Sequence, residues 1–380
     1  MDQMVKLVKV GITGQAGFMG THLYNFLGTK SEKTECVNFK DNYFDNELDL
    51  QNFVKSCDVI VHLAAMNRHK NQQVIYNTNI DLVKKLINAC EATNSTPKII
   101  FSSSTQEDID NLYGKSKRDG RKCFETWAIN NDGHITSLII PNVFGPFGRP
   151  FYNSFIATFS HQIVQGEEPK VIIDSKVKLI YINELSEAFY NEIIKQNSEN
   201  IQSYVVPHTS SRKVSEILDL IKEFKIKYLE NGQVPKLDLN SFELDLFNTF
   251  TSFIPRKYFP RKFKKHIDER GAFVEIMRAG SSGQTSYSTT VPGITRGNHY
   301  HTRKIERFAV ISGKALIKIR KIDSDEVFEY ILDGTEPAYV DMPIWFTHNI
   351  KNIGNTELIT IFWINEPYNP ENSDTYFINV

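Results

Sequence analysis

The sequence predicts an α/β domain with a doubly wound parallel sheet, followed by an all-β barrel domain. Apolar strand-like runs alternate with helical patterns from residue 5 to about residue 190, which is typical of a parallel sheet covered on both faces. After residue 266, short strand patterns recur between glycine and proline turns without an intervening helix pattern. We therefore expect domains at 1–245 and 266–380, joined by a solvated linker at 246–265.

The strands and helices of the first domain follow from the spacing of apolar residues. Runs that are apolar throughout, as buried strands are, occur at Val8–Ile12, Val59–Leu63, Ile99–Phe101 and Ser137–Ile140. Helical spacing occurs at 78–92, 113–129 and 213–230. The more irregular stretch 150–235 is expected to cover the carboxyl edge of the sheet, where ligands bind in such folds.

Composition is that of an ordinary globular protein and excludes several classes of function. Of 380 residues, 41% are hydrophobic and 23% charged, and the net charge of −1 provides no field that attracts nucleic acid or an anionic membrane. No apolar run is long enough to cross a bilayer, and the strand pattern begins too early for a signal peptide. We expect a cytoplasmic protein whose four cysteines are free thiols.

A glycine-rich turn follows the first strand and precedes a helix. Its glycines allow a tight turn and a close backbone approach, so that amide groups at the helix N-terminus can meet a pyrophosphate. Strand, turn and helix occur in the order that a dinucleotide site requires. The turn residues expected to contact the cofactor are Gly14, Gln15, Gly17, Phe18, Met19 and Gly20.

The residues after the second strand favour NADPH as the cofactor. An NAD-selective site usually places an acidic residue about 20 residues after the turn, where it binds the ribose hydroxyls. This chain has Asn38, Phe39 and Lys40 there instead. A lysine can pair with the 2′-phosphate of NADP, although Lys40 as a plain surface lysine remains an alternative.

Tyr113 and Lys117 are the expected reaction centre of the first domain. Their i, i+4 spacing places both side chains on one helix face. An ammonium group nearby lowers a tyrosine pKa, and such a tyrosine can deliver a proton to a carbonyl oxygen while hydride reaches its carbon. The cluster Ser102–Thr105 ends the preceding strand and can supply the hydroxyl that fixes this oxygen.

These motifs together resemble the extended short-chain dehydrogenase/reductase family, over roughly residues 5–235. Asp58–Ala65 and Pro141–Pro146 match as well. The resemblance implies a Rossmann fold and hydride chemistry on a nucleotide sugar. From the resemblance we assign Ser104 (or Ser103), Tyr113 and Lys117 to catalysis. We assign His62 and Ala64 to cofactor binding, and Arg68, Asn142 and Lys178 to substrate binding.

Four residues in the C-terminal domain have the character and spacing of metal ligands: His299, His301, Glu306 and His348. His299 and His301 alternate by two along a strand, so their side chains share a face. The pattern from Gly293 to Gly313, with the later stretch Pro343–Asn352, resembles the two-box signature of cupins, small β-barrels that usually hold one metal ion. Imidazole and carboxylate suit Zn, Fe, Mn or Ni. We expect zinc, with His301 as a fourth ligand or a base.

The two halves in this order resemble bifunctional enzymes of capsular-polysaccharide synthesis across essentially the whole chain, and Asp268–Phe273 resembles the start of sugar 3,5-epimerases. The resemblance implies that the barrel inverts C3 of a UDP-2-acetamido-2,6-dideoxy-4-ketohexose and that the first domain then reduces the C4 ketone with NADPH. The implied product is UDP-2-acetamido-2,6-dideoxy-L-talose, on the route to UDP-N-acetyl-L-fucosamine. Tyr300 and Tyr376 are weaker candidates for the proton donor, and a homodimer is implied.

Two other functions fit parts of the pattern. The reductase-like half can work alone as an NAD(P)-dependent sugar epimerase or dehydratase, with the barrel serving only for dimerisation or sugar binding. In the second alternative, the chain is a non-catalytic module that senses a nucleotide. Tyr113 and Lys117 argue against a sensor, because binding alone does not require that pair.

Overall fold

The computed structural model describes residues 7–196, 199–269, 271–280 and 283–380. The chain divides into two compact units, one made of the residues up to Thr158 with Ile172–Val214, the other of Phe159–Val171 with Ser215–Val380. Residues 5 and 6 of the expected first strand pattern and Arg270 of the epimerase-like stretch lie outside the described residues. Among those described, no helix combines the length and the apolar character needed to cross a membrane.

Helices and strands alternate through the N-terminal part, as predicted. The helices of the chain are α1 (Phe18–Gly28), α2 (Glu47–Lys55), α3 (Gln72–Thr93), α4 (Leu112–Asn131), α5 (Phe155–Val164), α6 (Ile182–Ile194), α7 (Val214–Phe224) and α8 (Phe242–Thr251). A π-helix (Lys225–Glu230) continues α7, and short 3-10 helices occur at Asp41–Asp45, Thr105–Asp108, Arg256–Tyr258 and Pro370–Asn372.

The first unit is built on a parallel sheet, which confirms its predicted fold class. Its strands are β1 (Val8–Thr13), β2 (Thr34–Val37), β3 (Val59–His62), β4 (Lys98–Ser104), β5 (Ile135–Ile140), β6 (Asn142–Phe144), β7 (Lys176–Tyr181), β8 (Ile201–Val205) and β9 (Ser210–Lys213). Six of them form the sheet β2-β1-β3-β4-β5-β8, and β6, β7 and β9 form a small second sheet. Most residues of β1, β3 and β4 are buried, as expected for strands covered on both faces.

The direction of winding changes between β1 and β3. The chain runs from β1 outward to β2 and then returns past β1 to β3, and ligands bind outside the carboxyl ends of the strands at such a point. Thr13 at the end of β1 pairs with His62 at the end of β3, and His62 pairs with Phe101 of β4. The glycine turn and the serine cluster therefore lie at the same edge of the sheet.

The sheets of the second unit are antiparallel, and this part of the fold prediction is also confirmed. Its strands are β10 (Arg261–Lys262), β11 (Lys265–Asp268), β12 (Gly271–Val274), β13 (Gln284–Thr290), β14 (Thr295–Tyr300), β15 (Glu306–Ser312), β16 (Lys314–Lys321), β17 (Val327–Asp333), β18 (Ala338–Met342), β19 (Phe346–Asn352), β20 (Leu358–Ile364) and β21 (Tyr376–Phe377). Two five-stranded sheets result, β10-β18-β15-β20-β13 and β17-β16-β19-β14-β21. Fully buried residues of both sheets, such as Val310 and Ile317, form the core.

The segment 246–265 is folded over much of its length, so the expectation of a solvated linker is wrong for that part. Helix α8 begins after Ser241, whose side chain accepts a hydrogen bond from the Leu244 amide at 3.1 Å. Phe247 is buried and packs edge-on against Phe224 at 5.3 Å between ring centroids. Aromatic side chains of this segment, such as Phe247, therefore pack against other apolar side chains and do not face solvent. The expected limits of the domains stay a prediction.

Candidate active site and metal centre

Close backbone contacts require glycine at two positions of the turn between β1 and α1. Gly14 has φ +70°, and an added Cβ would lie 2.9 Å from the backbone of Ala64. A Cβ on Gly20 would lie 2.2 Å from the carbonyl oxygen of Gly14. Gly17 is the N-cap of α1, and its amide donates to the Gly14 carbonyl at 3.0 Å. The turn thus brings the N-terminus of α1 to the sheet edge, where its amides can bind a phosphate.

Gln15 joins this turn to the end of β2. Its Oε1 accepts a hydrogen bond from the Phe39 amide at 3.1 Å, and its Nε2 lies 3.5 Å from Oδ1 of Asn38. Phe39 is buried, whereas Asn38 and Lys40 on either side of it are exposed. The two residues assigned to the cofactor therefore lie beside the turn with accessible side chains, while Phe18 and Met19 are half-buried in α1.

His62 supports the glycine turn through Thr13, at the end of β1. Its Nδ1 lies 2.9 Å from the hydroxyl of Thr13, which also accepts a hydrogen bond from the Ala64 amide at 3.4 Å. The ring is buried beside Phe101 and Phe124. Burial, with the nearby Lys117 charge, lowers the pKa of His62 to about 3. The neutral ring is thus a support for the cofactor turn and not part of its surface.

Tyr113 and Lys117 lie on the first turns of α4, as predicted. The Lys117 ammonium is buried, lies 5.9 Å from the Tyr113 ring centroid and donates to the Ser102 carbonyl at 2.9 Å. Burial lowers the pKa of Lys117 to about 8. It raises the pKa of Tyr113 to about 12, with a contribution from Tyr152. The expected lowering of the Tyr113 pKa is therefore wrong, because desolvation outweighs an ammonium group that is bonded elsewhere.

The structure distinguishes the two candidate serines. The Ser103 hydroxyl is buried and donates to the Glu107 carboxylate, which Arg121 also binds at 2.7 Å. Ser104 is half-buried, and its oxygen accepts a hydrogen bond from the Gln106 amide at 3.2 Å. That contact uses the oxygen of Ser104 and leaves its hydroxyl proton to donate elsewhere. Ser104 is thus the better placed of the two to bind a substrate oxygen.

Tyr113 and Arg68 both line a cleft of about 280 Å³. The Arg68 guanidinium donates to the carbonyl oxygens of Phe151 and Tyr152 at 2.8 and 2.9 Å. The described residues that line this cleft do not include Asn142 or Lys178. Those two lie on β6 and β7, where the Asn142 amide donates to the Lys178 carbonyl at 3.3 Å. The structure therefore brings one of the three assigned substrate residues to Tyr113.

Asn111 also lines this cleft, and Gly114 follows Tyr113 in the first turn of α4, although the sequence did not single out either residue. Asn111 is the N-cap of α4, and its side chain accepts a hydrogen bond from the Gly114 amide at 2.7 Å. A Cβ on Gly114 would lie 1.9 Å from the carbonyl oxygen of Gln106. The start of α4 can therefore approach the loop after Ser104 only because residue 114 is glycine. A glycine in the first turn of a helix, where it costs stability, is the signal that was available.

The four expected metal ligands come together between the two sheets of the C-terminal unit. One ligand atom from each of His299, His301, Glu306 and His348 lies within 4.8 Å of every other. The Nε2 atoms of His348, His301 and His299 lie 3.0, 3.4 and 4.0 Å from Oε2 of Glu306. Three imidazole nitrogens and a carboxylate facing one point are a donor set that suits Zn²⁺.

Backbone geometry explains how the histidines reach this point. His299 of β14 is paired with His348 of β19, and a bulge at Asn298, with φ 63°, shifts the register next to them. The Nδ1 atoms of His301 and His348 lie 2.5 and 3.2 Å from the carbonyl oxygens of Asp374 and Phe346. Because a carbonyl only accepts, Nδ1 carries the proton and Nε2 is left as the ligand atom.

The cluster is electrostatically coupled. Burial alone would raise the pKa of Glu306, but the adjacent His301 and His348 rings hold it well below its ordinary value. Burial would lower the pKa of His301, and the Glu306 carboxylate raises it instead. Burial and the two neighbouring histidines lower the pKa of His299 to about 4. A carboxylate surrounded by imidazoles in this way is prepared for a cation.

One side of the cluster is open. The His299 side chain is 20% exposed, whereas those of His301 and His348 are 4% and 1% exposed. The ring of Phe377 lies 6.1 Å from that of His299 and is largely exposed. A ligand can therefore approach the cluster past His299 and Phe377. Tyr300 is buried and stacks on the half-buried Tyr376 at 5.2 Å between ring centroids.

Two family models match the chain. The NAD dependent epimerase/dehydratase family matches residues 10–206, which contain the glycine turn and the Tyr113 centre. The Polysaccharide biosynthesis C-terminal domain matches residues 266–376, which contain all four cluster residues. The two models thus correspond to the two candidate sites.

Similar proteins cover both parts. UDP-2-acetamido-2,6-beta-L-arabino-hexul-4-ose reductase of Pseudomonas aeruginosa is 32% identical over 377 residues, 98% of this chain and 99% of that protein. The crystal structure of capsular polysaccharide assembling protein CapF from Staphylococcus aureus is 34% identical, with a TM-score of 0.61 over 98% of this chain and 100% of that one. Spore coat polysaccharide biosynthesis protein SpsL of Bacillus subtilis is 27% identical over 30% of this chain and 82% of its own length. The chain therefore belongs to the NAD dependent epimerase/dehydratase family, as a CapF-like member with a polysaccharide biosynthesis C-terminal domain.

Proposed function

We propose that the chain is a bifunctional nucleotide-sugar enzyme of capsular-polysaccharide synthesis, a 3-epimerase in its C-terminal unit and an NADPH-dependent 4-ketoreductase in its N-terminal unit. The observation that carries the proposal is that one chain holds both the Ser104, Tyr113 and Lys117 set and the four-residue cluster. The chain also matches, over nearly its whole length, a relative named as a reductase of a UDP-linked 4-ketohexose.

For the reduction, NADPH supplies a hydride when it is bound beside the glycine turn, and the chain supplies the proton. Ser104 donates a hydrogen bond that orients the C4 ketone oxygen, and Tyr113 transfers its phenolic proton to that oxygen. The raised pKa of Tyr113, about 12, keeps the phenol protonated at neutral pH. The Lys117 ammonium stabilises the phenolate that remains.

For the epimerisation, the cluster fits a divalent ion, which we propose is zinc. His299, Glu306 and His348 hold it, with His301 as a fourth ligand or as a base. The bound ion supplies positive charge where an oxyanion develops. Tyr300 and Tyr376 remain candidates for the proton donor.

The chemistry sets the order of the two steps. C3 adjoins the ketone, so its proton is acidic, and its removal places negative charge on the C4 oxygen. Reduction of the ketone abolishes this acidity. Epimerisation therefore comes first, and the product is UDP-2-acetamido-2,6-dideoxy-L-talose, a precursor of UDP-N-acetyl-L-fucosamine.

Incubation with the UDP-4-keto sugar in D2O, with and without NADPH, tests the proposal. Without NADPH we expect deuterium at C3 and an intact ketone. With NADPH we expect one equivalent to be consumed per product that carries deuterium at C3. Consumption of NADPH without deuterium at C3 would leave a reductase with a non-catalytic barrel. Turnover without net NADPH consumption would instead indicate an epimerase or dehydratase that recycles its cofactor. The homodimer stays a prediction, which sedimentation can test.

A further inference from the structure

We infer that Asp374 is a positioning residue of the metal centre, because it holds the ligand His301 and the loop that leads from His301 to Glu306. The inference rests on the proposed metal site. Asp374 is not one of the four cluster residues, and its side chain is fully buried, with 0% exposure. A buried carboxylate needs hydrogen bonds or an opposite charge to compensate it. The groups that compensate the Asp374 carboxylate lie in the loop from His301 to Glu306.

The main chain of Asp374 contacts a ligand directly. Its carbonyl oxygen lies 2.5 Å from Nδ1 of His301 and accepts the proton of that nitrogen. The Nε2 atom of the same ring lies 3.4 Å from Oε2 of Glu306. One hydrogen bond thus fixes both the tautomer and the orientation of a ligand ring, as partners of metal-binding histidines generally do.

The carboxylate of Asp374 holds the backbone between the two ligands. Oδ1 accepts hydrogen bonds from the amide and hydroxyl of Thr302, at 3.1 and 2.7 Å. Oδ2 accepts from the amides of Arg303 and Lys304, at 3.0 and 3.1 Å. Consecutive amides directed at one anion form a backbone nest. A single side chain therefore fixes the path of the chain from His301 towards Glu306.

The neighbouring tail residues contact the rest of the cluster. In strand β21, Phe377 pairs with His299 and Tyr376 with Tyr300. The Ile378 amide donates to the carbonyl of the bulge residue Asn298 at 3.0 Å. Residues 374–378 thus contact His299 of β14 and His301, which follows this strand, and Asp374 anchors them.

Asp374→Asn is the variant that separates positioning from folding. Asp374 has φ 46°, a left-handed conformation that Asp and Asn tolerate. The amide keeps the side-chain volume and one acceptor oxygen, but it places an NH2 group against two backbone amides that need an acceptor. The backbone carbonyl that binds His301 is still present. We therefore expect a folded protein with a displaced loop.

The test is the affinity for Zn²⁺ alone, measured on the full chain after metal removal, by competition with a chromogenic chelator. We expect Asp374→Asn to raise the zinc Kd about 10- to 100-fold. Glu371→Gln is the matched control, because it makes the same charge change at an exposed position of the same tail, and its Kd should equal that of the wild type. Circular dichroism and thermal unfolding of the metal-free proteins report whether each variant is folded.

A second background tests whether Asp374 acts through His301. Introduced into His301→Ala, Asp374→Asn should change the zinc Kd much less than it does in the wild type. An equal loss in both backgrounds would mean a general structural role and would overturn the inference. An unchanged Kd in Asp374→Asn alone would overturn it as well.

A third variant serves if Asp374→Asn does not fold. Thr302→Val removes one donor to the carboxylate and leaves Asp374 in place, so a several-fold rise in Kd is expected and an unchanged Kd overturns the inference. A wild type that binds no zinc would refute the proposed metal site itself. The failure of the site and the failure of the positioning role are therefore distinguishable.

Discussion

Nε2 of His348 lies 3.0 Å from Oε2 of Glu306, although the two residues belong to different sheets of the C-terminal unit. His348 lies on β19 and Glu306 begins β15, so this contact joins the two antiparallel sheets at the cluster. Both side chains are buried, and a buried carboxylate beside an imidazole is stable only with a shared proton or a cation. Loss of the Glu306 charge should therefore disturb the contact between the two sheets.

Replacement of Glu306 by glutamine should abolish tight metal binding. The amide has nearly the same shape but no charge to compensate a dication among three imidazoles. We expect the zinc Kd to rise more than about 100-fold, beyond the effect typical of residues that only position ligands. Metal content after dialysis measures this, with the exposed Glu326→Gln as the control. Equal zinc content in the two variants would contradict the assignment of Glu306.

Tyr113→Phe should separate the two activities. The variant lacks the phenolic proton, so reduction of the ketone should fall about 10²- to 10⁴-fold. Exchange of the C3 proton with D2O should continue at the wild-type rate, because the cluster lies in the other unit. NADPH absorbance and NMR of the sugar follow the two processes. Loss of both together would refute the division of labour.

Gly114→Ala should impair reduction despite the higher helix propensity of alanine. The new Cβ would lie 1.9 Å from the Gln106 carbonyl, so either the loop after Ser104 or the start of α4 must move. A shift of about 1 Å at a reacting group can cost about 100-fold in rate. Gly28→Ala is the control, because a Cβ there meets nothing within 4 Å. Full ketoreductase activity in Gly114→Ala would show that the contact is not needed.

Lys117→Met should change the pH dependence of stability. The pKa of Lys117 is about 8 in the folded protein and about 10.5 when unfolded, so between these values only the unfolded chain carries the proton. Its burial therefore costs stability below pH 8, and this cost disappears as the pH rises to 10.5. A shift of this size corresponds to roughly 3 kcal/mol.

The advantage of Lys117→Met over the wild type in free energy of unfolding should thus shrink by about that amount between pH 7.5 and 10.5. Urea unfolding at several pH values measures it. Lys122→Met, an exposed position of the same helix, should show no such change. A pH-independent difference for Lys117→Met would mean that the folded protein keeps this lysine charged throughout.

The parts of the fold and sites that could be predicted from the sequence have local signals. The glycine turn lies between one strand and one helix, Tyr113 and Lys117 are one helical turn apart, and His299 and His301 alternate on one strand. Each pattern needs only the geometry of its own element.

Most of what was not predicted depends on how side chains pack in the folded protein. Asp374 and His301 are 73 positions apart, and no spacing rule connects them. The choice of Ser104 over Ser103 depends on where the Glu107 side chain points, and the pKa of Tyr113 depends on how deeply its ring is buried. Helix α8 did carry local signals, Ser241 as its cap and acidic residues in its first turn, but the basic and aromatic residues nearby favoured a linker.

The pairing of β21 with β14 has a practical consequence for recombinant work. A polyhistidine tag fused after Val380 would begin three residues after Phe377, which pairs with His299, the most accessible imidazole of the cluster. Such a tag can itself chelate zinc and would confuse every metal titration. Purification handles therefore belong at the opposite terminus, or should be removed by protease before any ion is added.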